Sequence, residues 1–331
     1  MDFLLIPKKE EEIEPEQDVI IIGGGPAGLT AGIYTGRARL KTLLIEESLI
    51  GGLAALTAVI ENYPGFPEGI TGKELSKRLE EQAKKFGTKI LEAKVLKLSI
   101  EGYWKIVETT KGIYKALSII ICSGTKPKKL GVPGENEFLG KGVSYCAICD
   151  GAFFTGKKVA VVGGGDAAVE EALYLSRIAE EVIIIHRRDE LRAEKITQEK
   201  AFANPKIKFL WSHIVKAIEG DKKVERLILE DLKTKEEKIL PIDGVFIYIG
   251  LSPQTELYTS LLNLDNNGFI ITDENMQTSV PGIFAAGDIR VKPLRQIVTA
   301  LGDGAIAGIS ASKYIEEIKF KGGIKNGITK R

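Results

Sequence analysis

Cys146-Ala147-Ile148-Cys149-Asp150-Gly151 is the segment with the most direct chemical reading. Two intervening residues let the sulfurs close a small disulfide ring, and such pairs combine lowered thiol pKa values with reversible exchange. A purely structural bridge of this size would close almost no chain and stabilise little. Half a zinc site is the competing chemistry. Zinc takes four ligands, and the remaining Cys122, His186 and His213 show no ligand spacing, so no metal is expected. Asp150 adjoins the second cysteine, where a carboxylate raises a thiol pKa. It has a use there as proton donor or acceptor during dithiol exchange, with a turn or helix cap as the structural alternative. Cys122 follows Ile119-Ile120-Ile121 and reads as a buried small hydrophobe.

A second chemistry lies in two glycine turns. The β-branched run Asp18–Ile22 ends in Gly23-Gly24-Gly25-Pro26-Ala27-Gly28, then come an apolar helix and a strand ending at Glu46-Glu47. The pattern returns as Lys158–Val162, then Gly163-Gly164-Gly165-Asp166-Ala167-Ala168, a helix, and a strand ending at His186-Arg187-Arg188. Gly23 to Glu46 spans 23 positions, and Gly163 to His186 spans 23 as well. One such turn is weak evidence. Two at identical spacing, each between a strand and a helix, read as dinucleotide-binding βαβ units, with a pyrophosphate on each helix N-terminus. Glu46, or Glu47 beside it, suits a ribose hydroxyl. Arg187, Arg188 and Arg192 would instead bind a 2′-phosphate, which points to NADPH at the second turn and leaves FAD for the first. Gly287-Asp288 ends a later strand, where Asp288 could hold a ribityl hydroxyl. The helix starting near Arg295-Gln296 could aim its N-terminus at the flavin.

These motifs need two α/β domains. The 331 residues and 44% hydrophobic content suit two Rossmann-like, doubly wound three-layer domains, the second inserted into the first. The expected division is 1–128 (with an extension over 1–16), 129–251 carrying the dithiol, and 252–331 completing the first domain. Crossovers are expected at Gly124–Glu135 and Ile249–Pro253. A formal charge of +1 indicates no nucleic-acid partner. No apolar run approaches the roughly 20 residues of a membrane span, and none resembles a secretory leader, so the cytoplasm is expected.

Across nearly its whole length the chain resembles the low-molecular-weight thioredoxin reductases. The carrying segments are GGGPAG (23–28), ENYPGFP (61–67), CAICDG (146–151), GGGDAAVEEALYL (163–175), HRRDELRA (186–193), GIFAAGD (282–288) and RQ (295–296), in family order. The resemblance implies a homodimer, FAD in the discontinuous domain and NADPH in the inserted one. It implies that Cys149 faces the flavin and that Cys146 attacks the partner's disulfide, with Asp150 as acid and base. The candidate FAD contacts are Gly23, Gly25, Pro26, Ala27, Gly28, Glu46, Gly52, Asn62, Gly124, Gly287, Asp288, Arg295 and Gln296. The candidate NADPH contacts are Gly163, Gly165, Asp166, Ala168, His186, Arg187, Arg188 and Arg192. One departure stands out: Leu53 replaces the family's usual Gln and cannot supply amide hydrogen bonds to a flavin.

The expected acceptor is thioredoxin, or a glutaredoxin-like or two-domain protein disulfide oxidoreductase. A FAD-dependent dithiol oxidase that does without NADPH is the main rival, and a non-enzymatic nucleotide sensor the second. The strand 157–162, rising about 3.3 Å per residue, is expected to hold the dithiol and the nicotinamide roughly 20 Å apart. Rotation about the two crossovers would then present each in turn to one flavin.

Overall fold

A computed structural model describes residues 14–57 and 59–321, so most of the expected extension lies outside the described residues. The chain forms two compact units. Of the described residues, one contains those up to Ala55, Ile60–Gly124 and those from Pro253 onward; the other contains Leu56, Thr57, Val59 and Thr125–Ser252.

The first unit opens with β1 (Glu16–Ile22), α1 (Pro26–Arg37), β2 (Thr42–Glu46), the single turn α2 (Gly52–Ala55) and α3 (Gly72–Lys85). Then come β3 (Lys89–Glu92), β4 (Val95–Glu101), β5 (Trp104–Thr109) and β6 (Gly112–Ile121). The second unit contains β7 (Thr125–Pro127), β8 (Val143–Ser144), α4 (Ala147–Asp150), β9 (Lys158–Gly163), α5 (Asp166–Ser176), β10 (Glu181–His186) and α6 (Lys195–Phe202). It continues through β11 (Ile207–Trp211), β12 (His213–Gly220), β13 (Val224–Asp231), β14 (Glu237–Pro241) and β15 (Gly244–Tyr248), and β16 (Leu251–Pro253) crosses back to the first unit at its last residue. The return to the first unit adds β17 (Ile283–Ala285) and α7 (Ile297–Lys321).

In the first unit the sheet order is β3-β2-β1-β6-β5-β4, with β17 also on β6. β1 pairs in parallel with both β2 and β6. Val19, Ile20 and Ile21 are wholly buried, which explains an uninterrupted β-branched run instead of an alternating one. The two faces bury separate clusters, one around Ile21, Leu29 and Phe284, the other around Ile20, Leu43 and Tyr258. The short strand expected at Phe269–Thr272 is reduced to bridges at Ile270, which pairs singly with Leu264 and Arg290.

The second unit has an all-parallel sheet, β11-β10-β9-β15-β8, and a separate antiparallel sheet, β12-β13-β14. In such doubly wound sheets ligands sit beyond the C-terminal strand ends where the winding reverses, here between β9 and β15. β7 and β16 pair in a two-stranded ribbon, and Lys128 N donates to Gly250 O at 2.9 Å. The two expected crossovers are therefore strapped together. Among the described residues no helix is long and apolar enough to cross a membrane.

Lys105 on β5 is 2% exposed, and its Nζ donates to Tyr103 O at 3.2 Å and to Tyr314 Oη at 3.0 Å. Burial pushes its amine down to about 8. Folding therefore disfavours the protonated form. The resulting penalty is full below pH 8 and fades as pH rises toward the ordinary lysine value near 10.5. Lys105→Met is expected to raise Tm at neutral pH, with the gain shrinking at alkaline pH; thermal scans across pH check this.

Candidate active site

The two glycine turns share one construction. A Cβ on Gly23 would lie 2.3 Å from the Cys122 carbonyl oxygen, and one on Gly163 would lie 2.3 Å from that of Tyr248. Each first glycine thus lets the turn press against the neighbouring strand. A Cβ on Gly28 would meet Gly23 O at 1.9 Å, whereas the second copy accepts Ala168 at that place. Gly25 and Gly165 face open space. They cap α1 and α5 without any side-chain cap bond, and Pro26 and the buried Ala27 follow the first. Free helix-end amides beside an open glycine form a seat for a phosphate.

At the first turn, Glu46 Oε2 accepts from Gly24 N at 2.6 Å and Oε1 from Ser48 N at 2.9 Å. Glu47 is instead an exposed partner of Lys94, at 2.7 Å. Glu46 is the acid at the turn. Gly51 N donates to Gly24 O at 2.8 Å, placing the Gly52 turn against the fingerprint, and Leu53 beside it is 42% exposed. Asn62 Nδ2 donates to Gln296 Oε1 at 3.2 Å. Gly124 O accepts from Gln254 N at 3.0 Å.

Asp288 follows Gly287, and its Oδ1 is buried without a partner. Burial raises its carboxyl above the usual range, while Lys292 and Arg295 draw it down. Sequence reasoning missed the support beneath it. Asp303 on α7 accepts from Gly287 N at 3.1 Å, from Arg290 at 2.8 and 2.9 Å, and from Lys292 Nζ at 2.8 Å. The two cations hold Asp303 ionised against the cost of burial. Arg295 lies over the Phe269 ring at 3.9 Å and reaches Arg290 O at 3.3 Å, so it braces the same loop.

At the second turn the ring of His186 fills the space below Gly164, where a Cβ would come within 2.5 Å of it. His186 is 5% exposed, and its Nε2 has no partner. Burial depresses its pKa, and the nearby Arg192, Arg188 and Arg187 depress it further. The ring is therefore neutral packing, and the three arginines are near enough for their charges to act on it. Arg192 N donates to Gly164 O at 2.7 Å, and Asp166 Oδ1 accepts from Glu194 N at 2.7 Å. The far end of the arginine loop is thus pinned twice to the glycine turn, and its arginines remain exposed.

Cys146 and Cys149 form a disulfide. Cys146 caps α4, and its Sγ accepts from Cys149 N at 3.2 Å, a contact that favours a thiolate at Cys146 after reduction. Ser144 Oγ donates to Asp150 Oδ2 at 2.7 Å and accepts from Cys146 N at 3.0 Å, joining the carboxylate to the first cysteine. Tyr145 Oη donates to Glu135 at 2.5 Å, and the same buried Glu135 accepts from Leu130 N and Gly131 N. Cys122 is buried and free, and burial pushes its thiol far up.

One expectation fails. Strand β9 does not separate the dithiol from the nucleotide turn. β8 runs parallel to β15, with Val143 opposite Val245, so the chain reaches Cys146 at the C-terminal edge of the sheet. Tyr248, paired with Gly163, accepts from Ala147 N on its hydroxyl oxygen at 2.8 Å. A single tyrosine spans the two sites.

The pyridine nucleotide-disulphide oxidoreductase pattern matches residues 17–304. The chain belongs to this family. Within it, the chain is 52% identical over 303 residues to a thioredoxin reductase of Listeria innocua, covering 91% of this chain and 95% of that one. It is equally identical to a thioredoxin reductase of Bacillus subtilis, with 91% and 96% covered. A crystal structure of Lactococcus lactis thioredoxin reductase superposes with a TM-score of 0.89 at 47% identity, covering 91% of this chain and 99% of that one. Other side chains at this oxidoreductase's sites that sequence reasoning passed over are Ser144, Glu135 and Tyr248. Each is a single polar residue whose partner only the fold supplies.

Proposed function

We propose that the chain is a thioredoxin-disulfide reductase that draws electrons from NADPH and passes them through FAD to Cys146 and Cys149. The observation that carries this reading is an arginine-bearing nucleotide turn and a Cys-x-x-Cys-Asp dithiol on one edge of one sheet. A dithiol oxidase would have no use for the arginine loop.

Both units have features that fit their dinucleotides. In the first, the open Gly25, the Glu46 carboxylate and the unpartnered Asp288 Oδ1 fit the pyrophosphate, adenosine ribose and ribityl chain of FAD. In the second, the open Gly165 and the arginines at 187, 188 and 192 fit the pyrophosphate and 2′-phosphate of NADPH. FAD, when bound, supplies the two-electron link between nicotinamide and disulfide. Gly287, Asp288 and Asp303 orient the flavin end of the first site. Cys146, as thiolate, attacks one sulfur of the acceptor disulfide. Cys149 then attacks the Cys146 sulfur of the mixed disulfide, re-forming the internal bridge and releasing the second acceptor thiol. Asp150 takes and returns the thiol proton, held in place by Ser144.

The Asp288 contact is testable by itself. Asp288→Ala is expected to lower FAD affinity about tenfold or more through loss of a charge-assisted hydrogen bond; release of flavin on dilution measures it.

The nucleotide turn and the dithiol share an edge with one tyrosine side chain between them. Both sites serve one flavin, which belongs to the other unit. Rotation about the β7–β16 ribbon would present each site in turn, and a verified inter-domain crosslink is expected to abolish turnover while sparing one half-reaction.

The acceptor is thioredoxin or a related small disulfide protein. Phe153, 72% exposed, stands with Asp150, Lys141, Lys157 and Lys223 around a cavity of about 210 Å³, which reaches the dithiol segment through Asp150. Phe153→Ala is expected to raise KM for the protein acceptor about tenfold with little change in kcat. The chain works as a homodimer in the cytoplasm, where free thiols persist. NADPH-dependent reduction of a panel of thioredoxin- and glutaredoxin-like proteins tests the reading; no reduction of any member contradicts it.

A further inference from the structure

Two polar groups near the dithiol turn are left unused by the exchange chemistry above. Tyr248 ends β15, its backbone set against Gly163 at the nucleotide turn. Its hydroxyl accepts the N–H of Ala147, the wholly buried residue between the cysteines. Glu171 lies on α5, the helix that starts at the nucleotide turn and packs on the dithiol turn. A Cβ on Gly151 would be 3.3 Å from both Tyr174 and Leu175 of that helix. Glu171 is one helical turn before them on the same face. Its Oε2 is buried without a partner, and its charge acts on the Tyr248 hydroxyl.

We infer that Tyr248 is a positioning residue for the dithiol. Its hydroxyl locks the Ala147 amide so that the Cys149 N–H stays aimed at the Cys146 sulfur, and the Glu171 carboxyl near it sets the charge that this turn feels. The inference rests on the dithiol reading given above. Its physical basis is that, while Ser144 holds Cys146 N and Asp150, the Ala147 amide between the cysteines is held by the Tyr248 hydroxyl. Without the hydroxyl, that buried amide has no acceptor, and a buried unsatisfied donor moves until it finds one. Movement there swings the Cys149 amide away from the sulfur it stabilises. Glu171 acts with the opposite sign, because a carboxylate near a thiol opposes thiolate formation. Burial and the adjacent Glu170 raise the Glu171 carboxyl to about 7, so its charge changes in the working range of the enzyme. Asp150 is the other charged group bearing on the tyrosine.

The test uses holoenzyme reduced by a phosphine, so that neither NADPH nor an acceptor protein takes part. The rate of Cys146 alkylation by iodoacetamide is followed by peptide mass spectrometry from about pH 5 to about pH 9, which brackets thiols activated to different degrees. Tyr248→Phe is expected to raise the midpoint by about one pH unit, a tenfold slower reaction below it. Glu171→Gln is expected to move it downward. Loosening of the fold would shift both variants the same way, so opposite signs mark the specific roles. An unchanged midpoint in either variant, or shifts of one sign, overturns the inference, and Glu171→Gln decides alone if Tyr248→Phe does not fold. A failure of the proposed function shows up separately, as absent NADPH-linked turnover with an unaltered alkylation profile.

Discussion

Cys146→Ser is expected to abolish reduction of protein disulfides, by at least about 10³-fold, while NADPH still reduces artificial dyes through the flavin. The asymmetry follows from the geometry at the dithiol. Cys146 caps the turn and receives the Cys149 N–H, so it is the sulfur best able to exist as a thiolate. Serine keeps the cap but its alkoxide is inaccessible at neutral pH, so the nucleophile is lost with little change in structure. Asp150→Asn retains the Ser144 contact and removes only the proton exchange, with an expected loss of about 10²-fold. Steady-state assays with an acceptor protein and with a dye, side by side, check both. Equal loss of dye and disulfide reduction in Cys146→Ser would show that the dithiol is not a separate terminus of electron flow.

The second large effect concerns coenzyme choice. Replacing Arg187 and Arg188 by alanine is expected to cut kcat/KM for NADPH by about 10²-fold or more, at roughly 1.5–3 kcal/mol for each charged hydrogen bond. NADH, which lacks the 2′-phosphate, should be little affected. The loop itself should survive, because the Arg192 N to Gly164 O and Glu194 N to Asp166 bonds pin it and neither uses the two side chains. A parallel fall for both coenzymes would mean that the arginines support the fold and not the phosphate.

Both glycine turns were legible because their signals are local: strand, turn and helix lie within one stretch of chain, and the acid or arginines end the next strand. The inserted arrangement was legible from the order of the motifs. The distance between dithiol and nucleotide turn was not. It depends on β8, a two-residue strand at a sheet edge, whose pairing with β15 carries Cys146 to the edge that holds Gly163. No periodicity marks so short a strand. The β12–β13–β14 sheet also went unread, as it contributes nothing to the motifs. Asp303 looked like one acid in an apolar helix, and only tertiary contact with Arg290 and Lys292 reveals what it holds. Tyr248 and Glu135 were hidden for the same reason. Polar residues that work through a distant backbone amide leave no spacing to read.

An anaerobic titration of the oxidised enzyme with NADPH, following flavin absorbance and free thiols together, tests the electron path most directly. Bleaching of the flavin with the appearance of two thiols per chain, at Cys146 and Cys149, is the predicted result. A flavin that bleaches fully with excess NADPH while the Cys146–Cys149 bridge stays intact would contradict it.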